Sequence, residues 1–585
     1  MQLLTTIVLV AIAVGVASAR PEKYKRIGGK PPRQRHDEAT KNKQVKTIPP
    51  SCESKIYCQG NLLHTIQMAA LFNDSKHFVD MSMNADEDVI LKNFDVFMKE
   101  NNQEPTKEQV EQFVNDNFSF ADELEDWMPE DFEEEPPFLE TVQPEEIRSY
   151  AKKIVAIWPN LGRKISNETL ENIQRHSLLP LSKGFIVPGG RFRETYYWDT
   201  YWIIKGLLIS DMKQTARGML DNFVTLVKQH GFIPNGARVY YLQRSQPPLF
   251  APMVLDYFRA SGDREWLTEN IAFVEQEVKF WLENRMITVE IDGKKYHVAR
   301  YYPESLGPRP ESYKEDFLTA SNLPNDDAKQ KLYTNLKAGA ESGWDFSSRW
   351  FYDTKGGNNA NLSSVDTGRT LPVDLNAFLY KACHALNMLY SGLHQLDKAS
   401  YWLNKAIEFK RVLKDVFFNK DDGIWYDFDK TLKKHRKEFY VSNLSPLWVH
   451  AEHLDFNPDK LIKKLHDDGV FEYEGGTPAS LKRTGEQWDL PNAWPPLQAI
   501  AVQAIANTET EEGKTIAEKL AKQWVTANMI GYERTGTMFE KYDAEEQGNY
   551  GGGGEYKVQA GFGWANGVVL EFIRDYYSEA EPWRF

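Results

Sequence analysis

A segment rich in both aromatic and charged residues, PGGRFRETYYWDTYW, spans residues 188–202. Six of its fifteen residues are aromatic and four are charged. An apolar core excludes charges without partners, and a solvated surface rarely carries so many rings. The segment is typical of a binding site that is partly apolar and partly polar.

Five further long segments, interspersed with helical patterns, repeat this combination of residue types. They include ESGWDFSSRW, GEQWDLPNAWPP and EKYD, and they cover residues 231–248, 300–312, 340–352, 474–496 and 540–564. Sugar rings pack their C–H faces on Trp and Tyr, and their hydroxyls bind carboxylates, amides and guanidinium groups. Hydrolysis of a glycosidic bond also needs two carboxyl groups, one as acid and one as base or nucleophile. The pattern therefore indicates a sugar site and favours a glycosidase.

Motifs for other reactions do not occur in the chain. We find no G-x-S-x-G elbow, no G-x-x-x-x-G-K-[ST] loop and no dinucleotide-binding fingerprint. The run GNYGGGGEY is glycine-rich but follows no clear strand, which disfavours a phosphate cradle.

Two of the segments resemble the signature motifs of the trehalases, the glycosidases that split α,α-trehalose into two glucose molecules. These are PGGRFRETYYWDTYW and QWDLPNAWPP, and ESGWDFSSRW, EKYD and GGGGEYKVQAGFGWANG resemble the same family in its order. The resemblance covers roughly residues 55 to 577. It implies a mainly α fold, an (α/α)6 toroid of twelve helices in two rings, with the site among long loops at one open end.

The resemblance also implies a role for individual residues. Asp345 would be the general acid and Glu540 the general base of an inverting hydrolysis that needs no metal, nucleotide or redox cofactor. The implied substrate-binding residues are Arg191, Trp198, Asp199, Asn235, Arg244, Ser245, Gln246, Arg309, Glu311, Gly343 and Glu555.

Other interpretations of these residues stay open. A different (α/α)6 glycosidase would act on another α-glucoside, and a non-catalytic secreted sugar-binding protein would keep the rings without needing the acid pair. Trp198 and Trp488 could be core rings beneath the loops, and Asp489 could cap a helix or orient an arginine.

The elements that must position these loops are mostly helices. Apolar residues recur at helical spacing in four stretches, for example Leu267, Ile271, Val274, Val278 and Trp281, after the capping candidate Asp263. The other stripes lie within residues 375–389, 402–416 and 516–527. Strand patterns are scarce, and MITVEIDGKKYHVA (286–299) is the best hairpin candidate because Asp-Gly stands at its turn.

Composition and the N-terminus indicate location and domain organisation. The net charge of −14 and pI near 5.5 argue against a nucleic-acid or anionic-membrane partner. Residues 1–19 read as a signal peptide, although an uncleaved anchor is the alternative because the n-region lacks Lys and Arg. Residues 20–50, with ten Lys or Arg, read as a basic linker or propeptide, leaving 51–585 as one catalytic domain. We therefore expect a secreted, extracellular protein without a membrane anchor after cleavage; nothing in the sequence indicates its oligomeric state.

Cysteines and glycosylation motifs support secretion weakly. Cys52 and Cys58 are close enough in sequence to form a disulfide, and Cys383 lies on an apolar helical face. Five glycosylation motifs begin at Asn73, Asn117, Asn167, Asn361 and Asn443.

Overall fold

Helices dominate the residues that the computed structural model describes, which are 48–120, 122–557, 559 and 561–578. The predicted signal peptide and most of the predicted linker lie outside these ranges. The helices are α1 (Asn61–Met68), α2 (Lys76–Val79), α3 (Glu87–Glu100), α4 (Lys107–Asn117), α5 (Glu145–Val155), α6 (Trp158–Leu161), α7 (Asn167–Glu171), α8 (Asp199–Ile209), α9 (Lys213–His230), α10 (Phe250–Ser261), α11 (Arg264–Asn284), α12 (Tyr313–Thr319), α13 (Asp326–Glu341), α14 (Val373–Gly392), α15 (Leu396–Val412), α16 (Ser445–Trp448), α17 (Pro458–Asp467), α18 (Pro495–Ala506), α19 (Glu511–Thr535) and α20 (Gly563–Tyr576). The strands are β1 (Ser82–Met83), β2 (Phe118–Ser119), β3 (Leu124–Asp126), β4 (Gly162–Ile165), β5 (Phe185–Ile186), β6 (Met286–Ile291), β7 (Lys294–Ala299), β8 (Thr370–Leu371), β9 (Phe418–Asn419), β10 (Ile424–Trp425), β11 (Phe428–Asp429), β12 (Lys434–His435), β13 (Asn492–Ala493) and β14 (Tyr542–Asp543).

Six helices form a closed inner ring. Each packs against the next in the order α8, α10, α14, α16, α18, α20, and α20 packs against α8. These helices lie in the interior: all residues of α8 and all but two of α18 are buried. A helix that is apolar on every side belongs inside a protein.

The helices α5, α9, α11, α15, α17 and α19 alternate with the inner ones along the chain and form the outer layer. They are amphipathic: in α11 the predicted stripe from Leu267 to Trp281 is buried. The Asp263 side chain accepts a hydrogen bond from the Trp266 N–H at 3.1 Å and so caps this helix. The predicted toroid of two helical rings is confirmed.

The ring closes where α8 and α20 meet through glycines. A Cβ atom at Gly567 would lie 2.0 Å from the carbonyl oxygen of Trp202, and one at Gly206 would lie 2.8 Å from the Cα of Gly567. The two backbones are therefore in direct contact, and a larger residue at Gly567 would force the helices apart.

The hairpin predicted at residues 286–299 is confirmed. Strands β6 and β7 pair antiparallel from Met286–Ala299 to Ile291–Lys294. Both turn residues, Asp292 and Gly293, have positive φ angles of 49° and 74°, as a two-residue turn of this type requires.

Residues 48–119 form an N-terminal lobe with a core of its own. Strands β1 and β2 pair there, and helices α1 to α4 bury residues such as Ile66, Phe78, Phe94 and Phe113. The same core contains Tyr196, Tyr240 and Tyr241, which come from loops of the toroid. The lobe is thereby attached to the loops that the sequence marked as functional.

The cysteines and glycosylation motifs separate by exposure. Cys52 and Cys58 are joined in a disulfide, and Cys383 is a buried free thiol. Asn73, Asn167 and Asn361 are exposed, whereas Asn117 and Asn443 are buried. The Asn117 amide donates to the Phe113 carbonyl at 2.8 Å, and the Asn443 side chain accepts from the Tyr440 N–H at 2.7 Å. In the described ranges, no helix combines the length and the apolar character that a bilayer crossing requires.

Candidate active site

One cavity at the N-terminal ends of inner helices gathers almost all of the predicted site residues. Its volume, measured for the centre of a water molecule, is about 90 Å³. Asp199 begins α8, and Trp494 and Phe562 directly precede α18 and α20. The predicted residues that line it are Arg191, Trp198, Asp199, Asn235, Arg244, Gln246, Arg309, Glu311, Gly343, Asp345, Glu540 and Glu555.

Ser245 is the predicted residue that does not line this cavity. Its side chain is fully buried and donates a hydrogen bond to the Ile233 carbonyl at 2.6 Å. Its backbone N–H donates to the Glu341 carboxylate at 3.0 Å. In this structure Ser245 therefore supports the loop that carries Arg244 and Gln246.

Asp345 lies on an acid loop, residues 343–350, that follows α13. At its start Gly343 has φ of +77°, and a Cβ atom there would lie 2.6 Å from the Trp198 ring. Glycine is thus required both for the left-handed turn and for the close approach to the ring.

Two buried charged residues, Asp489 and Arg349, anchor the acid loop. Asp489 accepts hydrogen bonds from the hydroxyls of Ser347 (2.8 Å), Ser348 (3.0 Å), Ser480 (2.7 Å) and Thr484 (2.6 Å), and from the Ser348 N–H (2.8 Å). Asp489 therefore fixes two loops to each other rather than orienting an arginine.

Arg349 provides the second anchor. Its guanidinium is fully buried and binds the carboxylates of Asp374, on α14, and Asp427 at 2.7–2.9 Å. Such a two-sided arginine has no free face for a ligand, so Arg349 ties the acid loop to the inner ring.

The environment of Asp345 favours its protonated form. Burial raises the pKa of Asp345 to about 7, and the Glu555 carboxylate adds to this rise against the opposing charges of Arg309 and Arg244. A carboxyl group with this pKa still carries a proton at neutral pH in a large fraction of molecules and can act as a general acid.

Glu540 is held by donors on two sides. The Tyr556 hydroxyl donates to one carboxylate oxygen at 2.7 Å, and the backbone N–H of Gln559 donates to the other at 3.3 Å. Burial raises the pKa of Glu540, while Lys541, these two hydrogen bonds and Arg191 lower it without cancelling the rise. Since each donor stabilises the carboxylate, Glu540 is the better supported base of the two.

A third carboxyl group, Asp199, lies near both. Burial raises its pKa well above the ordinary value, and the charges of Glu540 and Asp345 add to that rise. Three neighbouring carboxyl groups cannot all ionise cheaply, so Asp199 is kept in a form that can donate to a sugar hydroxyl.

The arginines of the cavity are paired with acids, and two of them, Arg191 and Arg244, keep a buried donor atom without a partner among the described residues. Arg244 donates to Glu311 at 2.5 Å, and Arg309 donates to Asp316 at 2.7 Å and to Glu555 at 3.0 Å. Burial alone would raise the pKa of Glu311, but the arginines outweigh it and hold that pKa below its ordinary value. Within the described residues, Nε of Arg191, Nε of Arg244 and Oε2 of Glu311 are buried without a hydrogen-bond partner.

Indole rings form the floor of the cavity. Trp488 and Trp494 stack at 3.9 Å with parallel planes, and Trp488 also meets Trp198 at 5.8 Å and Trp344 at 5.4 Å. Trp198 and Trp488 are both buried and both line the cavity, so each packs in the core and also borders the site.

Several residues in or beside the cavity were not predicted. The N-terminal lobe contributes Asp74, whose carboxylate binds Arg191 at 2.6 Å, and Lys76, which lines the cavity and binds Glu194 at 2.9 Å. No local pattern in the lobe indicates this role, because it arises from a long-range contact. Tyr556 and Lys541, by contrast, directly follow the predicted residues Glu555 and Glu540, so their position was a usable signal.

Among the residues that the structure describes, no group of three or more His, Cys, Asp or Glu side chains is arranged to hold a metal ion.

The closed helical rings and the carboxyl-lined, indole-floored cavity define a helical-toroid glycoside hydrolase. A sequence model of the trehalase family matches residues 70–577. The chain is 49% identical over 534 residues to the trehalase of Tenebrio molitor, covering 90% of this chain and 96% of that protein. It is 43% identical over 531 residues to human trehalase, covering 90% of each. The chain therefore belongs to the trehalase family, whose reaction is the hydrolysis of trehalose.

A solved structure agrees on the fold. The neutral trehalase of Saccharomyces cerevisiae superposes with a TM-score of 0.55 at 22% identity, over 71% of this chain and 80% of that one.

Proposed function

We propose that this chain is a secreted, inverting trehalase in which Asp345 is the general acid and Glu540 the general base. The observation that carries the assignment is that the two carboxyl groups border one cavity in different surroundings. Asp345 has a pKa of about 7, whereas Glu540 accepts hydrogen bonds from Tyr556 and Gln559. Acid–base hydrolysis requires one protonated and one ionised carboxyl group, and the donors around Glu540 oppose the rise in its pKa that burial causes.

In the proposed reaction Asp345 donates its proton to the oxygen between the two glucose rings. Glu540 takes a proton from a water molecule as the water oxygen attacks the anomeric carbon from the opposite side. The glycosidic C–O bond breaks and the new C–O bond forms, so the attacked glucose leaves as the β anomer and the other as the α anomer. The unpartnered Arg191 and Arg244 donors and Asp199 would bind sugar hydroxyls during this step.

Proton NMR of freshly formed product tests the stereochemistry. We expect equal amounts of α- and β-glucose before mutarotation. Product that is initially all α would overturn inversion.

EDTA should leave the rate unchanged, because no step requires a metal.

A panel of glucosides separates this proposal from the two rivals. Release of glucose from trehalose but not from maltose supports it, and the reverse preference would indicate an enzyme for another α-glucoside. Binding of trehalose without any turnover would indicate a sugar-binding protein.

The proposal of secretion rests on residues 1–19 together with the Cys52–Cys58 disulfide, a bond typical of oxidising compartments. The exposed Asn73, Asn167 and Asn361 are the candidate glycan sites. When the chain is expressed in secreting eukaryotic cells, the protein recovered from the culture medium should begin near residue 20. Replacing each exposed Asn by Gln should remove one glycan from its mass, while Asn117→Gln and Asn443→Gln should remove none; retention inside the cell would contradict the proposal.

A further inference from the structure

Lys541 is a buried lysine between the two candidate catalytic segments that the reaction described above does not use. It directly follows Glu540, its side chain is fully buried, and it lies beside the indole of Trp494, with 4.9 Å between Nζ and the ring centroid. A buried ammonium group is costly unless neighbouring groups compensate for it.

The contacts of Lys541 lead to the acid. Its Nζ donates to Oε1 of Gln487 at 2.9 Å. The Gln487 amide in turn donates through Nε2 to the backbone carbonyl of Asp345. The next residue, Trp488, donates its N–H to the Phe346 carbonyl at 3.0 Å. Gln487 is therefore fixed in one orientation by a donor on one side and an acceptor on the other.

The glycine-rich loop makes room for this bridge. A Cβ atom at Gly554 would lie 2.8 Å from Oε1 of Gln487, and Gly554 has φ of +85°. The neighbouring Gly553 carbonyl lies 3.5 Å from Nζ of Lys541. Glycine at position 554 thus allows the loop to pack closely on Gln487.

We propose that Lys541 is a positioning residue that couples the two catalytic carboxyl groups: its side chain bridges through Gln487 to the backbone of Asp345, and its charge stabilises the ionised form of Glu540. This inference rests on the function proposed above. The groups that face Glu540 are the Tyr556 hydroxyl, the Gln559 N–H, Arg191 and Lys541, together with the carboxyl group of Asp199. Burial raises the pKa of Glu540, and among the groups that lower it Lys541 has the largest effect.

The electrostatics of Lys541 agree with this geometry. Burial lowers its pKa to about 8, against the charges of Glu540 and Asp345, which raise it. At neutral pH the ammonium form predominates, and both carboxyl groups interact with it.

Three variants separate the charge of Lys541 from its bridge. Lys541→Met removes both, Gln487→Met removes the bridge and keeps the charge, and Lys541→Arg keeps the charge with altered geometry. The measurement is the pH dependence of kcat/KM for trehalose. The acidic limb of this profile, where activity rises with pH, reports the ionisation of Glu540. For Lys541→Met we expect this limb to move to higher pH by about one unit or more, since loss of an adjacent opposite charge raises the pKa of a carboxyl group by roughly that amount.

In Gln487→Met we expect kcat to fall about tenfold or more with the acidic limb unmoved, because the acid is misplaced while the charge beside Glu540 stays. Lys541→Arg should keep the acidic limb of the wild type. A lower rate in Lys541→Met with an unmoved limb would reduce Lys541 to a packing residue and overturn the proposal. If Lys541→Met fails to fold, the comparison of Lys541→Arg with Gln487→Met still decides, since a limb that moves in either of them contradicts the assignment.

The proposed function fails separately. Glu540→Gln that retains wild-type turnover would remove Glu540 from the reaction, whatever the Lys541 variants show.

Discussion

The inner helices carry buried charges toward both of their ends, but the two ends use them differently. At the loop end, the cavity groups are positioned by long loops and leave Arg191, Arg244 and Glu311 atoms without partners in the described chain. On α8, Lys205 lies six residues after Asp199 of the loop-end cavity, roughly 9 Å away along the helix axis. There, at the far end, a second cavity of about 320 Å³ is lined by Lys205, Lys381, Trp448 and Glu571.

At the far end, an ion pair joins two inner helices. Lys205 on α8 binds Glu571 on α20 at 2.5 Å, across the helix pair that closes the ring. Glu571 has its pKa held below the ordinary value, because Lys205 and Arg574 outweigh the effect of burial. The comparison teaches that one scaffold separates two tasks: loops hold reactive groups apart at one end, while helices pair charges for stability at the other.

Among the substitutions that test this comparison, Asp345→Asn should cause the largest loss of activity. The amide keeps the shape of the side chain but has no acidic proton, so kcat should fall about 10²- to 10⁴-fold. The thermal midpoint should stay near that of the wild type, because Asp345 makes no ion pair with any residue that the structure describes. Turnover close to the wild-type rate would remove Asp345 from the reaction and leave the loop end without its acid.

Lys205→Met should have the opposite profile. It removes the nearer cationic partner of the buried Glu571 carboxylate and leaves Arg574 at 4.0 Å, which should lower the free energy of unfolding by about 3 kcal/mol. Below the unfolding temperature, kcat/KM for trehalose should remain within about twofold of the wild type, since Lys205 does not line the catalytic cavity.

Lys522→Met is the matched control for that variant. It breaks an exposed pair with Glu518, at 2.5 Å, and should cost less than about 1 kcal/mol. Equal destabilisation by both lysine substitutions, measured by urea unfolding, would show that the far end holds no special stabilising pair.

Asp489→Asn tests whether the loop end depends on support as well as on its reactive groups. Asn keeps one acceptor oxygen, so either the three serine hydroxyls on Oδ1 or the Ser348 N–H and Thr484 hydroxyl on Oδ2 lose their acceptor. The acid loop should therefore shift, and kcat should fall about 10- to 100-fold. Ser480→Ala removes one of these donors and should lose only a small part of the activity. Full activity of Asp489→Asn, assayed well below its unfolding temperature, would show that the acid loop holds itself.

The sequence predicted the local helices and the hairpin, but it did not show how the helices close into a ring. Helical periodicity is a local property, so the stripe of α11, its cap at Asp263 and the hairpin at Asp292 were readable from the residues. Closure of the ring was not, because the Gly206–Gly567 contact joins residues far apart in the chain. That expectation came from the family resemblance.

The candidate site was predicted residue by residue from the motifs, and all but Ser245 line the cavity. Asp74 and Lys76 were missed because nothing local marks a lobe residue that binds a loop over a hundred positions away. Asp489 stood inside a quoted motif, but only the fold shows that it holds serines rather than an arginine.

Lys381 gives the smallest and most specific test of the far end. Its ammonium group lies 4.4 Å from the centroid of the Trp448 ring, and within the described chain it makes no ion pair. Burial lowers its pKa from 10.5 to about 8. Below pH 8 both the folded and the unfolded chain hold the proton, and the folded chain bears the full cost of burying it.

Between pH 8 and 10.5 the unfolded chain binds more protons at Lys381 than the folded chain does, so the stability contributed by this group rises with pH. The wild type should therefore gain stability relative to Lys381→Met as the pH is raised from 7.5 to 10, by a degree or two in thermal midpoint at most for a chain of this size. A constant difference between the two proteins across that range would mean that Lys381 is solvated. The far end would then resemble the loop end in holding a charged group that water reaches.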